Sequence, residues 1–384
     1  MNKINYILTT LLLGGAVVLN AQTPATVSDM QLADTLSVGY RINVSSQTSS
    51  YSVNGVNASA FEKSPHIDIS KALYGKVAGL NVYQGAGSSA DNVSSLSIHG
   101  HAPLVLIDGF PRDITDISSM EIESCYVLKD AAAAALYGMR GANGVILITT
   151  KRGKEGKPTF RYNGSVGVNT PMHMPKSLSS AQYARIMNEA ADNMDQDPIY
   201  TADQIAGYEK GGDPRFPNTD WLDLALQNSV TTRHGIEASG GTEKVKYLVS
   251  AGVDHQTGIF PQTQQNVFNV RSSTDVQISR KLDISFDMRY QLRDMEALGN
   301  QQDIYKQIIG ADPTMLAYNP DGSYAYNAGF FTNPLVALYE GGQKFTNRHE
   351  ASGLFKLNYE IIEGLTFTGI ATVKYTLKGE ESHG

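Results

Sequence analysis

Residues Val127 to Lys154 read VLKDAAAAALYGMRGANGVILITTKRGK, and the rest of the chain is organised around them. Asp130 is a good helix N-cap, and the five alanines, Leu136 and Tyr137 that follow it favour a short helix. Gly138 is placed to end that helix, because glycine accepts a left-handed turn at little steric cost. The turn Gly141-Ala-Asn143-Gly144 leads into Val145–Thr150, a nearly continuous β-branched run suited to a strand covered on both faces. Lys151, Arg152 and Lys154 close the unit with charge. The expected unit is helix, turn and buried strand. It is not a phosphate loop, since no Gly-Lys-Ser/Thr follows and the glycines lie between helix and strand in the wrong order.

This run resembles the end of the plug domain of SusC/RagA-type TonB-dependent outer-membrane receptors, where "VLKDA…A.YG.RGANGVI.ITTKRG" precedes the barrel. Its signature positions here are Asp130, Tyr137, Gly138, Arg140, Gly141, Asn143 and Gly144. Upstream, Ile69–Leu80 is similar to the family's "ALQGKVAGV" helix, with apolar residues at helical spacing ending on Gly79. Leu80–Tyr83 reads as a short strand. Leu96–Gly100 resembles "IRIRG" with His99 in place of arginine, and Pro103–Gly109 resembles "PLYVIDG". The link between those two is short, which implies a trimmed plug loop. Ile117–Leu128 resembles "I..IEVLKD" and completes a plug over residues 56–158.

The first 21 residues read as an export signal: Lys3 in the n-region, Ile7–Leu19 as a short apolar core, and cleavage after Ala21. That core is too short to span a bilayer as a helix. No later window reaches the ~18 consecutive apolar residues of a membrane helix. The formal charge of −7, with no basic stripe, argues against a nucleic-acid partner. Cys125 is the single cysteine, so an intramolecular disulfide is excluded.

Residues 22–55 are polar and small, and by composition form a flexible segment, which the resemblance implies is periplasmic. Within it Asp34-Thr35-Leu36-Ser37-Val38-Gly39-Tyr40 resembles the family's TonB-box region, "VVVGYG". The resemblance implies that this segment adds a strand to periplasmic TonB. Composition alone would make it an ordinary linker.

After Pro158 the apolar period changes to two. In Phe160–Val168 one side holds Phe160, Tyr162, Val166 and Val168. In Asp283–Arg293, Ile284, Phe286, Met288, Tyr290 and Leu292 alternate with Asp283, Ser285, Asp287, Arg289, Gln291 and Arg293. Thr231–Ala238, Lys244–Val253, Phe268–Ile278, Ala351–Tyr359 and Leu365–Leu377 behave alike, giving about seven strands near the ~9–11 residues of a tilted membrane strand. Alternation fits a soluble sandwich as well as a membrane barrel. The links favour the barrel: tight turns at Gly240–Glu243, Ser279–Leu282 and Ile361–Gly364 alternate with long links at Asn169–Val230, Gln256–Asn266 and Met295–His349. The first long link contains an amphipathic helix over Ser179–Asn193, capped by serine. Thr219-Asp220-Trp221 and the run from Gly240 to Ile259 also resemble family segments.

The expected fold is thus an N-terminal α/β plug followed, over residues 159–384, by the first seven or so antiparallel strands of a transmembrane β-barrel. Barrels of this class close with about 22 strands, so seven leave open edges that lipid does not tolerate. The 384 residues therefore read as the first third of a receptor, inactive alone. The resemblance implies TonB-dependent uptake of an oligosaccharide or peptide across the outer membrane, with a SusD-like surface lipoprotein as lid. The alternative is an outer-membrane binding or adhesion protein without transport. Loop aromatics that could stack on a sugar are Trp221, Tyr318, Tyr324 and Tyr326.

Enzyme readings are weaker. His99 and His101 would share a face of a regular strand, but no third metal ligand is evident. Asp108, Asp113 and Asp116 could suggest a glycosidase pair, yet Asp-Gly and Pro-Arg-Asp are common turn chemistry. Cys125 reads as a small buried residue. No catalytic activity, cofactor or metal is expected.

Overall fold

The computed structural model describes residues 53–383 except 65, 85–93, 173 and 327–332. Nearer the N-terminus it describes four three-residue strands, Ile7–Thr9, Gly14–Ala16, Thr35–Ser37 and Asn43–Ser45. The expected signal segment and TonB box therefore lie mostly outside the described residues. Of the box, Thr35–Ser37 pairs antiparallel with Asn43–Ser45.

The plug is built on a five-stranded sheet. Numbering from Val53, its strands are β1 (Val53–Asn57), β4 (Leu104–Ile107), β5 (Phe110–Pro111), β6 (Ile122–Leu128) and β7 (Val145–Thr150), in the order β1-β6-β7-β4-β5. β7 sits at the centre, parallel to β4 and antiparallel to β6. Its β-branched run is buried at five of six positions, as expected of a strand covered on both faces. A separate hairpin joins β2 (Leu80–Tyr83) and β3 (Ser95–Ile98). Short helices α1 (Ala58–Glu62) and α2 (Ile69–Ala72) pack beside the sheet.

The helix after Asp130 ends at Gly138 as expected: α3 (Ala131–Ala134) tightens into a 3-10 turn, and Gly138 leaves the helix with positive φ (φ 61°, ψ −153°) before a second 3-10 turn runs to Gly141. Two local expectations are corrected. The helix expected to run to Gly79 ends at Ala72, because Gly75 already takes positive φ (68°). His99 and His101 do not share a strand face: His99 (φ 50°) and Gly100 (φ 84°) form a tight turn that bridges Ile98 to His101.

The C-terminal part is a seven-stranded antiparallel meander: β8 (Gly156–Asn169), β9 (Ser229–Gly241), β10 (Val245–Thr257), β11 (Gln264–Ser279), β12 (Leu282–Leu298), β13 (Gln343–Ile362) and β14 (Leu365–His383). The outer edge of β14 takes up Ile7–Thr9 and Gly14–Ala16; an edge strand offers its free backbone groups to any extended segment.

Side-chain exposure decides between membrane barrel and sandwich. On β12, Phe286, Met288 and Tyr290 are exposed, whereas Asp287, Arg289, Gln291 and Arg293 are buried. A sandwich in water would bury the aromatic side. Here the apolar face is outward, as a lipid-facing wall requires, and the polar face looks into the lumen. β8 repeats the pattern with Phe160, Tyr162, Val166 and Val168 exposed.

The strands are longer than expected, 13 to 20 residues, and extend beyond the hydrocarbon band. The link expected over Gln256–Asn266 shrinks accordingly to residues 258–263. The other two long links fold. The first holds α4 (Ser180–Asp192), α5 (Ala202–Lys210) and α6 (Trp221–Ala225); the second holds α7 (Gln301–Gly310) and α8 (Pro334–Glu340). Ser179 and Gln182 form a capping box on α4, which matches the expected serine-capped helix. The two links share one apolar cluster that includes Trp221, Phe260, Ile304 and Leu335.

Candidate functional site: the plug against the barrel wall

β7 delivers three consecutive residues, Thr150, Lys151 and Arg152, to the seam where plug meets barrel. Asp108 lies beside them in a turn of positive φ (52°) after β4. Its carboxylate accepts hydrogen bonds from the Thr150 backbone N–H (3.0 Å) and hydroxyl (2.7 Å), and from Arg289 Nη2 on the barrel (3.3 Å). Burial alone would raise the pKa of Asp108. The nearby guanidinium groups of Arg152, Arg289 and Arg271 outweigh it and hold the carboxyl well below the usual carboxylate range.

The barrel side is equally specific. Arg271, fully buried on β11, binds Asp287 (2.6 Å) and donates to the Lys151 carbonyl (2.9 Å) and the Thr150 hydroxyl (2.7 Å). Arg289 reaches Asp287 (3.1 Å) and the plug's Glu121 (3.3 Å). Lys151 is paired with Glu62 of α1 (2.6 Å) and lies 3.9 Å from Glu237 of β9.

A second cluster centres on Arg233 of β9. Held by Asp254 (3.0 Å), it donates to the carbonyls of Ser64 (3.3 Å) and His66 (2.9 Å) and to the Ser119 hydroxyl (2.7 Å). In a third, Lys374 of β14 bridges the plug's Asp116 (2.6 Å) and Glu350 of β13 (3.1 Å). Burial and the neighbouring Glu350 push the Asp116 pKa up, against the pull of Lys374.

Close backbone approach completes the fit. A Cβ on Gly153 would fall 2.4–2.6 Å from the Tyr247 backbone, so the plug-to-barrel connection lies flush against β10. A Cβ on Gly235 would meet the sulfur of Met120 at 2.6 Å.

The apolar clusters do not cross this seam among the described residues. Two lie within the plug, one around Phe61, Ile98, Cys125 and Ile146, the other around Leu106, Leu128 and Val145; the third lies in the barrel loops. The plug has its own core and meets the wall through ion pairs and hydrogen bonds.

The structure disperses the signature residues. Gly141 and Gly144 serve folding: a Cβ at Gly141 would lie 2.6 Å from the Ala134 carbonyl, and Gly144 (φ 91°) packs against Ile98. Tyr137 packs against the second plug cluster, whereas Arg140 and Asn143 are exposed. Asp113 caps a turn, accepting from Thr115 N (3.0 Å), and Asp108 and Asp116 are engaged by Arg289 and Lys374 of the barrel. Cys125 is buried, and burial pushes its thiol up to about 12. Trp221 is 2% exposed, with its indole N–H on the Asp312 carbonyl, so it is not free to stack on a sugar; Tyr326 is exposed. Sequence reasoning missed Arg233, Arg271 and Glu121. A signal for the two arginines was present: long cations on the inward side of mid-strand positions, where Ser or Thr would suffice.

Comparison with known proteins agrees with this architecture. Residues 45–145 match the family described as the TonB-dependent Receptor Plug Domain. TonB-dependent receptor P26 of Formosa agariphila is 31% identical over 354 residues, covering 86% of this chain and 34% of that protein. TonB-dependent receptor SusC of Bacteroides thetaiotaomicron is 30% identical over 283 residues, covering 68% of this chain and 26% of that protein. The chain thus spans about a third of the length of the curated relatives it matches. In fold it is similar to the RagAB peptide importer in its open-open state (TM-score 0.76, 22% identity, 91% of this chain and 43% of that one). The ferric citrate transporter FecA is more distant (TM-score 0.51, 11% identity, 86% and 40%). With a plug seated by ion pairs against an inside-out, lipid-facing sheet, the chain belongs to the SusC/RagA-type TonB-dependent outer-membrane receptors.

Proposed function

We propose that this chain supplies the plug and the adjoining wall of an energised outer-membrane nutrient importer. The observation that carries the reading is the polar seam: a plug with its own apolar core, attached to the barrel by ion pairs, can leave the wall without exposing that core. β1 is the edge strand of the plug sheet and starts at Val53, where the 22–55 segment ends, so tension on that segment is delivered to the plug edge. Asp34–Tyr40 is the TonB box in this reading, pairing with TonB by strand addition. Residues 1–21 are the export signal, 56–158 the plug and 159–384 barrel and loops. Asp130 and the Tyr137–Gly144 turn keep the plug folded.

The cargo is an oligosaccharide or a peptide, delivered beneath a SusD-like surface lipoprotein. Peptide import is stated for RagAB, and the oligosaccharide is what the family resemblance of the sequence implies. Transport replaces catalysis. The work is mechanical remodelling of the plug, not bond chemistry. Deleting Asp34–Tyr40 should abolish energy-dependent uptake while leaving cell-surface binding of cargo intact. Uptake that survives the deletion would refute the TonB box, and binding without any uptake in the wild type would favour an adhesion protein.

A further inference from the structure

The wall beside the plug carries more positive charge than its own acids neutralise. Arg271 and Arg289 are direct cross-strand partners, and so are Arg293 and Arg348. Like charges placed opposite each other destabilise a sheet unless something compensates them. With Lys374, this inward patch of β11–β14 holds five cations against two carboxylates, Asp287 and Glu350, an excess of three. Lys378, in the row of Arg293 and Arg348, is already paired with Glu380. The plug sets three carboxylates, Asp108, Asp116 and Glu121, against these cations, and brings two cations of its own, Arg112 on Ser352 and Arg152 beside Asp108 and Asp287. When it moves aside, the lumen faces three uncompensated positive charges.

Arg293 is the cation of this patch that touches the plug without meeting an acid. It is buried and makes no ion pair among the described residues. One nitrogen donates to the Thr115 carbonyl (3.1 Å) and to Gln291 (3.4 Å), and its Nε has no partner. A cation kept in a lumen wall without a carboxylate is costly unless an anion visits it.

We propose that the conduit admits anionic cargo, whose carboxylate or sulfate groups occupy the wall positions vacated by Asp108, Asp116 and Glu121. This rests on the import reading above and narrows its substrate class. Arg- and Lys-lined pores favour anions, and a low-dielectric wall concentrates them. Exchange of plug acids for cargo acids also lowers the cost of keeping the plug displaced.

The test is electrical. Receptor purified from outer membranes is placed in a planar bilayer, its plug is loosened reversibly with urea, and chloride-over-potassium selectivity is read from the reversal potential in a KCl gradient. The open state should prefer chloride. Arg293→Gln should lower the permeability ratio about twofold or more, and Arg293→Lys should preserve it. Oligogalacturonate and an oligo-aspartate peptide are then added as blockers beside a neutral malto-oligosaccharide. The acidic probes should block more strongly, and the stronger of the two identifies the cargo source. Cation selectivity, an unchanged Arg293→Gln channel, or equal block by the neutral sugar would overturn the proposal. If urea opens no conductance at all, the import reading itself fails, and this proposal with it.

Discussion

Asp108→Asn tests the seam at its most connected point. The substitution removes a charge and almost no volume, and asparagine tolerates the positive φ of 52° found there. The amide oxygen can keep the Thr150 N–H bond at 3.0 Å, but the NH₂ group then faces the Thr150 hydroxyl (2.7 Å) and Arg289 (3.3 Å). Removing one member of a buried ion pair costs about 3–5 kcal/mol when its partner is left uncompensated. Arg289 keeps Asp287 at 3.1 Å and Glu121 at 3.3 Å, so the upper figure does not apply. A hydrogen bond to a charged group contributes about 1.5–3 kcal/mol, which leaves a loss of about 2–3 kcal/mol for Asp108→Asn. At about 1.4 kcal/mol per tenfold, that is roughly 30- to 150-fold. The assay is amide hydrogen exchange over Val145–Thr150 in detergent-purified receptor, where faster exchange by that factor is expected. The pH dependence follows from the depressed pKa. The contribution of Asp108 is complete above the unfolded carboxylate value, ~3.9, and is lost only as pH falls through the lower folded value. Wild-type protection attributable to this group should therefore be flat between neutral pH and about 5. Unchanged exchange in Asp108→Asn at neutral pH would refute the argument.

Asp116→Asn should behave differently although its ion pair with Lys374 is shorter, 2.6 Å. The Asp116 pKa is raised, so its ionised form is disfavoured by folding; stability at this site is highest below the unfolded value and falls as pH rises toward the folded one. Lys374 retains Glu350, and the change should alter exchange around Ile114–Ile117 by less than about 1 kcal/mol at neutral pH, or slow it. Gly153→Ala places a Cβ 2.4 Å from the Tyr247 backbone, which cannot move without disturbing β10; a loss of about 1–3 kcal/mol should appear as a smaller heat-modifiable fraction on gels. Met288→Lys puts a charge on the outward face of β12, where a lysine near mid-membrane costs about 2–4 kcal/mol, read as a lower urea midpoint for the folded barrel in lipid vesicles. An unaffected midpoint would mean that this face does not meet lipid.

The central plug strand and the barrel alternation were legible because each is written in local sequence. Val145–Thr150 carries β-branched residues on both faces, and Ile284–Leu292 alternates without interruption. What alternation could not supply was direction. The same β12 pattern serves a sandwich with Phe286 inside or a barrel with Phe286 outside, and the burial of Asp287 and Arg289 settles it. The helix expected after Ile69 is too long because apolar spacing runs through Gly75, whose positive φ breaks the helix. The seam was illegible for a different reason. Asp108 and Arg289 are 181 residues apart, and Asp-Gly after a strand reads as a turn. It is a turn, and the positive φ of that turn is what aims the carboxylate at Thr150 and the barrel.

The separation of apolar core from polar seam bears on how such a plug can move and return. Contacts that bury apolar surface are lost together with the core they belong to, whereas the ion pairs at Asp108, Asp116 and Arg233 are independent clusters on different strands. Each of them is strong only while water is excluded, because a charge pair weakens steeply as the local dielectric rises. Once tension opens one edge and water enters, the neighbouring pairs lose strength in turn. The core around Phe61, Ile98 and Ile146 is not solvated by the same event. In the proposed importer, resealing needs no refolding of that core, only the return of three plug carboxylates to a wall left with three cations unmatched. On that proposal the wall's charge excess gives the displaced plug a direction home, and anionic cargo on the same cations would delay that return until it has passed.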